Sequence, residues 1–465
     1  MTKISLAATS ALFTLAAMAL PSLAMAQSAP TAAPGLASAR DDALADRSAL
    51  DFVRGLTTEV GSRQAGTERE ARARVWAVAY LKAHGLANAR IETFTMPTWV
   101  RGEERASVIA PYEQPLVITA LGNSAATAPG GLEGEVAVFH DLAAFDAAPD
   151  SAVRGRIVYI GHAMRRTQDG SSYGAFGPAR FVGPDRAARR GAAAIIIRSI
   201  GTDSHRTPHT GNTNFSAGVA PIPAAAMSNP DADNLERMAA SAPTPLRMRL
   251  LLTPRNLGPQ QSGNVIADIV GSDPSAGIVL AACHLDSWDL GTGAIDDAAG
   301  CGIVIAAAQR AAAMGTTRRT IRILLAGAEE VGVWGGKAYG TAHADEPHAA
   351  ALESDFGAAR VWRADFRLPT SAQALADRVA TALAPLGIAR SDHVAHGGAD
   401  IGAIAGETLP LVDLQQDGTQ YFDLHHTADD TFDKIDATEL AQNVAAWTVT
   451  LSLLANAPET LGREP

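Results

Sequence analysis

The chain of 465 residues is poor in cysteine and in aromatic residues. Its only cysteines are Cys283 and Cys301, which excludes a disulfide-rich scaffold. Two readings of this pair fit the sequence: a single disulfide, or two small buried apolar side chains. Aromatic residues make up 5% of the chain, so aliphatic side chains must supply most of the core.

The sequence also lacks runs of positive charge. Lys and Arg number 38 against 49 Asp and Glu, which gives a formal net charge of −11 at pH 7. This balance argues against nucleic acids and anionic membrane surfaces as partners. The content of 47% hydrophobic residues is typical of a globular protein and excludes a disordered chain.

Residues 1–26 have the pattern of a secretory signal. Lys3 is their only charge, an apolar stretch covers residues 6–20, and Ala24-Met25-Ala26 forms a small-x-small cleavage site. We predict that the mature chain begins at Gln27 and is exported, to the periplasm or the medium. The alternative is a membrane anchor, but the apolar run is shorter than the roughly 20 residues that a span requires. After cleavage no other segment is long and apolar enough to span a bilayer.

The remaining chain divides into regions with different patterns of predicted secondary structure. Short strand patterns separated by Gly, Pro and Asp turns predict a β-rich insert at residues 120–255. Strand and helix patterns alternate from Asn264 onwards, which predicts an α/β fold with a doubly wound, mostly parallel sheet. The predicted strands and helices of this part are 265–270, 278–282, 298–314, 320–326, 371–386 and 437–456. Residues 27–119 and 256–465 would then form one catalytic domain around the insert.

Three polar clusters follow predicted strands, where sheets of this type carry their sites. They are Cys283-His284-Leu285-Asp286-Ser287, Asp296-Asp297 between flanking glycines, and Glu329-Glu330. Each has a plain structural alternative: a surface loop, a pair of acids at a helix start, and a surface glutamate pair. Two adjacent glutamates directly after a buried strand, however, repel each other unless a cation lies there.

Asp355, after another strand-like segment, and His426, in a polar turn before the last helix, complete the set. Two imidazoles and three carboxylates, with no thiolate, suit a pair of zinc ions with open positions for water. Two metals about 3.5–4 Å apart can activate one water and polarise a carbonyl. One acid is left over, and Glu329 is the natural general base.

These motifs resemble the co-catalytic zinc peptidases of family M28, which include bacterial double-zinc aminopeptidases. The resemblance is carried by His284-x-Asp286-Ser287, Asp296-Asp297 with Gly300, Glu329-Glu330, Asp355, and His426 with Thr431. It covers most of the mature chain and is weakest before residue 60.

The resemblance implies a role for each matched position. His284 and Asp355 would bind one zinc, Glu330 and His426 the other, and Asp296 would bridge the two. Glu329 would be the general base for the bridging water and would pass the proton to the leaving amine. Asp286 would hold His284 in its metal-binding tautomer.

One position departs from the family pattern. Many relatives have a Tyr immediately before the last ligand, where it donates a hydrogen bond to the tetrahedral intermediate, and this chain has His425. We hypothesise that His425 takes over this role. The alternative is that His425 only packs or is solvated.

The resemblance also identifies the insert as a protease-associated domain that would restrict the cleft and favour short peptides. It makes a homodimer plausible. Two other functions on the same fold are a single-zinc glutaminyl-cyclase-like enzyme and a non-catalytic, receptor-like module. The cyclases lack the first His ligand, which is present here as His284, and receptor-like relatives have lost ligands that this chain retains.

Overall fold

The computed structural model describes residues 35–406 and 408–462, together with Met1. Apart from Met1, the predicted signal sequence lies outside these residues. Among the described helices, none combines the length and apolarity needed to cross a membrane.

The elements of the described chain form two eight-stranded sheets and the helices around them. The strands are β1 (Arg90–Val100), β2 (Glu104–Ala110), β3 (Gln114–Leu116), β4 (Ile118–Ala120), β5 (Leu132–Phe139), β6 (Ile157–Ile160), β7 (Ala194–Arg198), β8 (Ala224–Met227), β9 (Arg247–Leu252), β10 (Arg255–Ile269), β11 (Ile278–His284), β12 (Thr320–Ala326), β13 (His348–Glu353), β14 (Val361–Arg367), β15 (Ala389–Arg390) and β16 (Leu411–Gln416). The helices are α1 (Leu36–Ala43), α2 (Ser48–Glu59), α3 (Glu68–Ala83), α4 (Leu142–Ala147), α5 (Ser171–Phe176), α6 (Pro178–Phe181), α7 (Gly183–Arg189), α8 (Asn229–Ser241), α9 (Ala299–Ala313), α10 (Trp334–Ala342), α11 (Gln373–Leu383), α12 (Ala399–Ala405), α13 (Tyr421–Leu424) and α14 (Ala437–Asn456).

The first sheet has the strand order β1-β10-β12-β11-β13-β16-β14-β15. Its four central strands, β12, β11, β13 and β16, are parallel. The flanking strands β10 and β14 pair antiparallel to this centre, and β1 pairs antiparallel to β10. The fold is therefore mixed α/β, and the prediction of a mostly parallel sheet describes only its centre.

Both faces of this sheet are buried. Along β11, Val279 and Ala281 belong to the large core that also contains α9 and α14, whereas Leu280 and Ala282 face a smaller cluster with Tyr339 and Ile401. A strand buried on both faces has no polar alternation, which explains its continuous apolar run.

The second sheet has the order β3-β2-β9-β5-β6-β7-β8-β4 and lies within residues 104–252. Its strands β5 to β8 are parallel, and α8 packs Leu235 and Met238 against one face. The sheet begins with β2, earlier than the predicted insert boundary at residue 120. The region also carries helices α4 to α8.

Candidate metal centre

The carboxyl ends of three parallel strands converge on one edge of the first sheet. His284 is the last residue of β11, Glu329 and Glu330 follow β12, and Asp355 follows β13. Register places His284 beside Ala326 and Ala282 beside Glu353, so the residues after these strands share one edge. Strand ends therefore account for four of the six predicted metal-site and base residues.

The five predicted ligands lie together around Asp296. Nε2 of His284 is 2.9 Å from Oδ1 of Asp296 and 3.2 Å from Oδ1 of Asp355. On the other side, Nε2 of His426 is 3.3 Å from Oδ2 of Asp296 and 2.9 Å from Oε2 of Glu330. Asp296 therefore presents one oxygen to each imidazole–carboxylate pair.

The second nitrogen of each imidazole faces a backbone carbonyl. Nδ1 of His284 donates to the carbonyl oxygen of Asp286 at 3.1 Å, and Nδ1 of His426 donates to that of Thr210 at 3.2 Å. Both contacts leave Nε2 as the free ligand atom. The carboxylate of Asp286 lies 3.7 Å from Nδ1 of His284 and accepts a hydrogen bond from the Glu329 amide at 3.0 Å. Asp286 thus links the first ligand to the loop of the predicted base.

The loop that carries Asp296 is held by the carboxylate of Asp430, which was not among the predicted site residues. Asp430 accepts hydrogen bonds from three consecutive amides, those of Ala294, Ile295 and Asp296, at 2.8, 2.6 and 3.2 Å. Its position four residues after His426 was the available signal. Asp297, predicted only as part of the motif, accepts from the amide of His284 at 3.1 Å.

A buried arginine joins both ends of this loop. The guanidinium of Arg63 donates to the carbonyl oxygens of Leu285, Thr292 and Gly293 at 2.5, 2.6 and 2.9 Å. Its position more than 220 residues before the loop left no local signal for this contact.

The structure also joins Cys283 and Cys301 in a disulfide, which answers the question that the sequence left open.

Buried negative charge dominates the centre. Burial raises the pKa of Glu329 well above its usual range, and Asp355 adds to the effect. Burial also raises the pKa of Asp355 and Glu330. Burial lowers the pKa of His426, but Glu330 and Asp296 outweigh it and raise that pKa to about 9. So many carboxylates close together require compensating cations.

The donor set fits zinc. Among the described residues, Oε1 of Glu330 is one of three buried carboxylate oxygens without a hydrogen-bond partner. Such an atom has a cost unless a proton or a metal satisfies it. The nearby donors are imidazole nitrogens and carboxylate oxygens, the ligand types that zinc binds without thiolates.

A cavity of about 560 Å³ opens on this centre. Glu329, Asp355 and His425 line it, together with Tyr173, Arg180 and Phe181 of α5 and α6 and with Asn212 and Asn214 of the segment between β7 and β8. Arg180 is only 2% exposed. It donates to the hydroxyl of Tyr173 and to the carbonyl of Thr210, its Nη1 lies 3.4 Å from Nδ1 of His426, and its Nε has no partner among the described residues.

His425 lies at the centre but outside the closest contacts. Its ring stacks on that of His426 with centroids 3.5 Å apart, and its Nε2 is 3.7 Å from Oδ2 of Asp296. Burial, together with the charge of His426, holds the pKa of His425 well below its usual range, so the ring is neutral. Its Nδ1 is buried with no partner in the described chain.

Comparison with known proteins agrees with this geometry. Residues 264–451 match the model of peptidase family M28. The chain is 32% identical to Carboxypeptidase Q of Bos taurus over 415 residues, which cover 88% of this chain and 85% of that protein. The corresponding protein of Homo sapiens is 32% identical over 414 residues, with the same coverage.

Solved structures show the same fold. A peptidase M28 precursor from Shewanella amazonensis superposes with a TM-score of 0.89 and 40% identity, covering 92% of this chain and 98% of that one. A zinc aminopeptidase from Bacillus subtilis shares the fold at 17% identity, with a TM-score of 0.63 and coverage of 90% and 98%. The fold and these identities define a metallopeptidase. The chain belongs to peptidase family M28.

Proposed function

We propose that this metallopeptidase is an exported zinc exopeptidase that hydrolyses short peptides at two zinc ions. The observation that supports it most directly is the placement of two imidazole–carboxylate pairs on opposite oxygens of Asp296. His284 and Asp355 would hold one ion, Glu330 and His426 the other, and Asp296 would contact both. When bound, the zinc pair would supply a water acidified to near neutral pKa and would polarise the scissile carbonyl.

Glu329 is the proposed general base. Its carboxylate lines the cavity and is not among the five proposed ligands, and its backbone amide is fixed by Asp286. It would take a proton from the attacking water and deliver it to the amine that leaves. Proton transfer by one positioned group contributes roughly 10²–10⁴-fold to a rate.

His425 is the proposed donor to the oxyanion. Its ring borders the cavity and, being neutral, carries one N–H that it would donate to substrate. A donor of this type stabilises a transition state by about 2.7–4 kcal/mol.

The cavity suits the end of a short peptide. Its wall of second-sheet residues, which we interpret as a protease-associated domain, limits access. Arg180 has no carboxylate partner among the described residues, and guanidinium groups bind carboxylates with two parallel hydrogen bonds. We infer that it receives the free carboxylate of the substrate, as the name of the carboxypeptidase relatives suggests. The substrates would be dipeptides or short peptides with a free carboxyl end.

The test is a peptide panel assayed with and without a chelator. It contains one dipeptide, its N-acetyl derivative and its C-terminal amide. Hydrolysis of the free and N-acetylated forms, with loss of rate for the amide and after chelation, is the expected result. Hydrolysis that resists chelation would contradict a zinc enzyme, and cleavage of the amide alone would contradict the carboxylate requirement. Export is tested separately by the N-terminus of the secreted protein, which we expect at Gln27.

A further inference from the structure

The centre depends on a loop from the second sheet that reaches the last proposed ligand. The loop, residues 199–223, connects β7 to β8, and its first half contacts the turn that carries His425 and His426. The Thr210 amide donates to the carbonyl of His426 at 3.0 Å, and the Thr210 carbonyl accepts from Nδ1 of His426 at 3.2 Å. The ligand is therefore held from both sides by one residue of the second sheet's loop.

The turn needs such support because of its backbone. His426 has φ of +62°, in the left-handed region that residues other than glycine rarely adopt. This conformation costs of order 1–3 kcal/mol and persists only where the surroundings determine it. Hydrogen bonds to the two carbonyls of the turn, those of His425 and His426, stabilise this backbone conformation.

His209 provides the second of these hydrogen bonds. Its ring is fully buried, with Nδ1 2.6 Å from the carbonyl oxygen of His425 and Nε2 2.6 Å from Oδ1 of Asp203. The ring therefore bridges the His425 carbonyl and the Asp203 carboxylate. Asp203 is itself buried and receives the side-chain amide of Asn229 and the backbone amide of His205.

The loop leaves space for the imidazole of His209 beside Gly201. A Cβ built on Gly201 would lie 2.1 Å from Nε2 of His209, so only glycine leaves room for the ring. The His209 amide donates to Ser199 at 2.9 Å, which fixes the backbone on the same side. The position of the ring is thus set by the loop, independently of the metal centre.

We propose that His209, backed by Asp203, is a positioning residue that holds the His425–His426 turn so that Nε2 of His426 faces Asp296 and Glu330. This inference rests on the proposed metal site. It makes the second sheet's loop part of the centre, in addition to the wall that it contributes to the cavity. Changes in such outer partners typically reduce metal affinity or activity by about 10–100-fold.

Two near-isosteric substitutions separate the two hydrogen bonds. In His209→Asn the amide nitrogen replaces Nδ1 and can still donate to the carbonyl of His425. In His209→Gln the amide nitrogen replaces Nε2 and reaches only Asp203. The proposal expects zinc affinity, measured by chelator competition on the full mature chain, to fall about 10–100-fold in His209→Gln and distinctly less in His209→Asn.

The matched control is His162→Ala, which removes another buried imidazole near the second sheet. His162 stacks on Phe176 and makes no contact with the turn. We expect zinc affinity of this control to stay within about twofold of wild type, even if its thermal stability falls. Circular dichroism confirms that each variant is folded. If His209→Gln does not fold, Asp203→Asn, which weakens the support of His209, is expected to lower zinc affinity in the same direction.

Equal zinc affinity in His209→Gln, His209→Asn and wild type would overturn the proposal, and so would an equal loss in the two isosteres. If neither His209→Gln nor His209→Asn folds, wild-type affinity in Asp203→Asn would also overturn it. Absence of zinc-dependent hydrolysis in the wild type would instead contradict the proposed function. The two failures are therefore distinguishable.

Discussion

Nε2 of His426 lies 2.9 Å from Oε2 of Glu330, although the two residues are almost a hundred positions apart in the chain. His284 and Asp355 repeat this relationship on the other side of Asp296. Without metal, such pairs are held together by protons on the imidazoles, whose pKa the neighbouring carboxylates raise.

The metal-free protein should lose stability as the pH rises. The pKa of His426 is raised to about 9 in the folded chain, against about 6.5 for an unperturbed histidine. The folded state thus binds this proton more tightly than the unfolded state. Its stabilising contribution is complete below pH 6.5 and is lost as the pH rises to about 9. The raised pKa values of Glu329 and Asp297 act in the same direction.

Urea unfolding of the metal-free chain at pH 6, 7.5 and 9 measures this effect. His426→Gln should show a smaller fall, and the zinc-loaded protein should not show this fall, because zinc occupies the ligand atoms in place of the protons. A metal-free protein that is equally stable across this range would contradict the arrangement of charges.

Glu329→Gln should separate catalysis from metal binding. The substitution keeps the volume of the side chain but removes the proton acceptor, so we expect kcat to fall by about 10²–10⁴-fold. Zinc content should not change, since Glu329 is not a proposed ligand. Glu236→Gln, which alters a glutamate bonded to Tyr159 beside the second sheet, is the control. Loss of zinc together with activity would show that Glu329 is a ligand instead.

His425 can be tested with two variants. His425→Phe keeps an aromatic ring stacked on His426, whereas His425→Ala removes it. If His425 donates to the oxyanion, kcat should fall by about 10²–10³-fold in both, with zinc retained. A packing role predicts that the Phe variant remains active.

Arg180 should determine the requirement for a free carboxylate. Arg180→Gln is expected to lower kcat/KM for a dipeptide by about 10–100-fold, since a charge-assisted hydrogen bond is worth about 1.5–3 kcal/mol. The rate for the corresponding amide should change little. Lys337→Met is the comparison, because Lys337 also lines the cavity but donates to the carbonyl of Gly332 in an exposed position. A larger effect at Lys337 would reassign the carboxylate site.

The sequence predicted the bounds of those strands and helices that a local residue pattern determines. The strand Thr320–Ala326 and the helix Ala437–Asn456 have the predicted bounds, because a buried apolar run and a long helical period are local signals. The predicted strand at 265–270 instead begins at Arg255. Its first half pairs with β1 near Val100, and pairing between distant segments leaves no mark in the local sequence.

The same distinction applies to the centre. Strand ends and a family resemblance pointed to the five proposed ligands, and the structure brings these residues together. Arg63 and Asp430 were missed because their role is to bind backbone groups, a role that many side chains share. His209 could not be predicted, since its contact with His425 depends on how the second sheet's loop meets the first sheet's turn.

The proposed function requires that two zinc ions, held around Asp296, carry the activity. Zinc should be titrated into the metal-free protein while bound metal and dipeptide hydrolysis are measured on the same samples. We predict binding of two zinc ions per chain, with the rate rising to its plateau only as the second equivalent binds. Saturation at one zinc per chain, or full hydrolysis without added metal, would contradict the account.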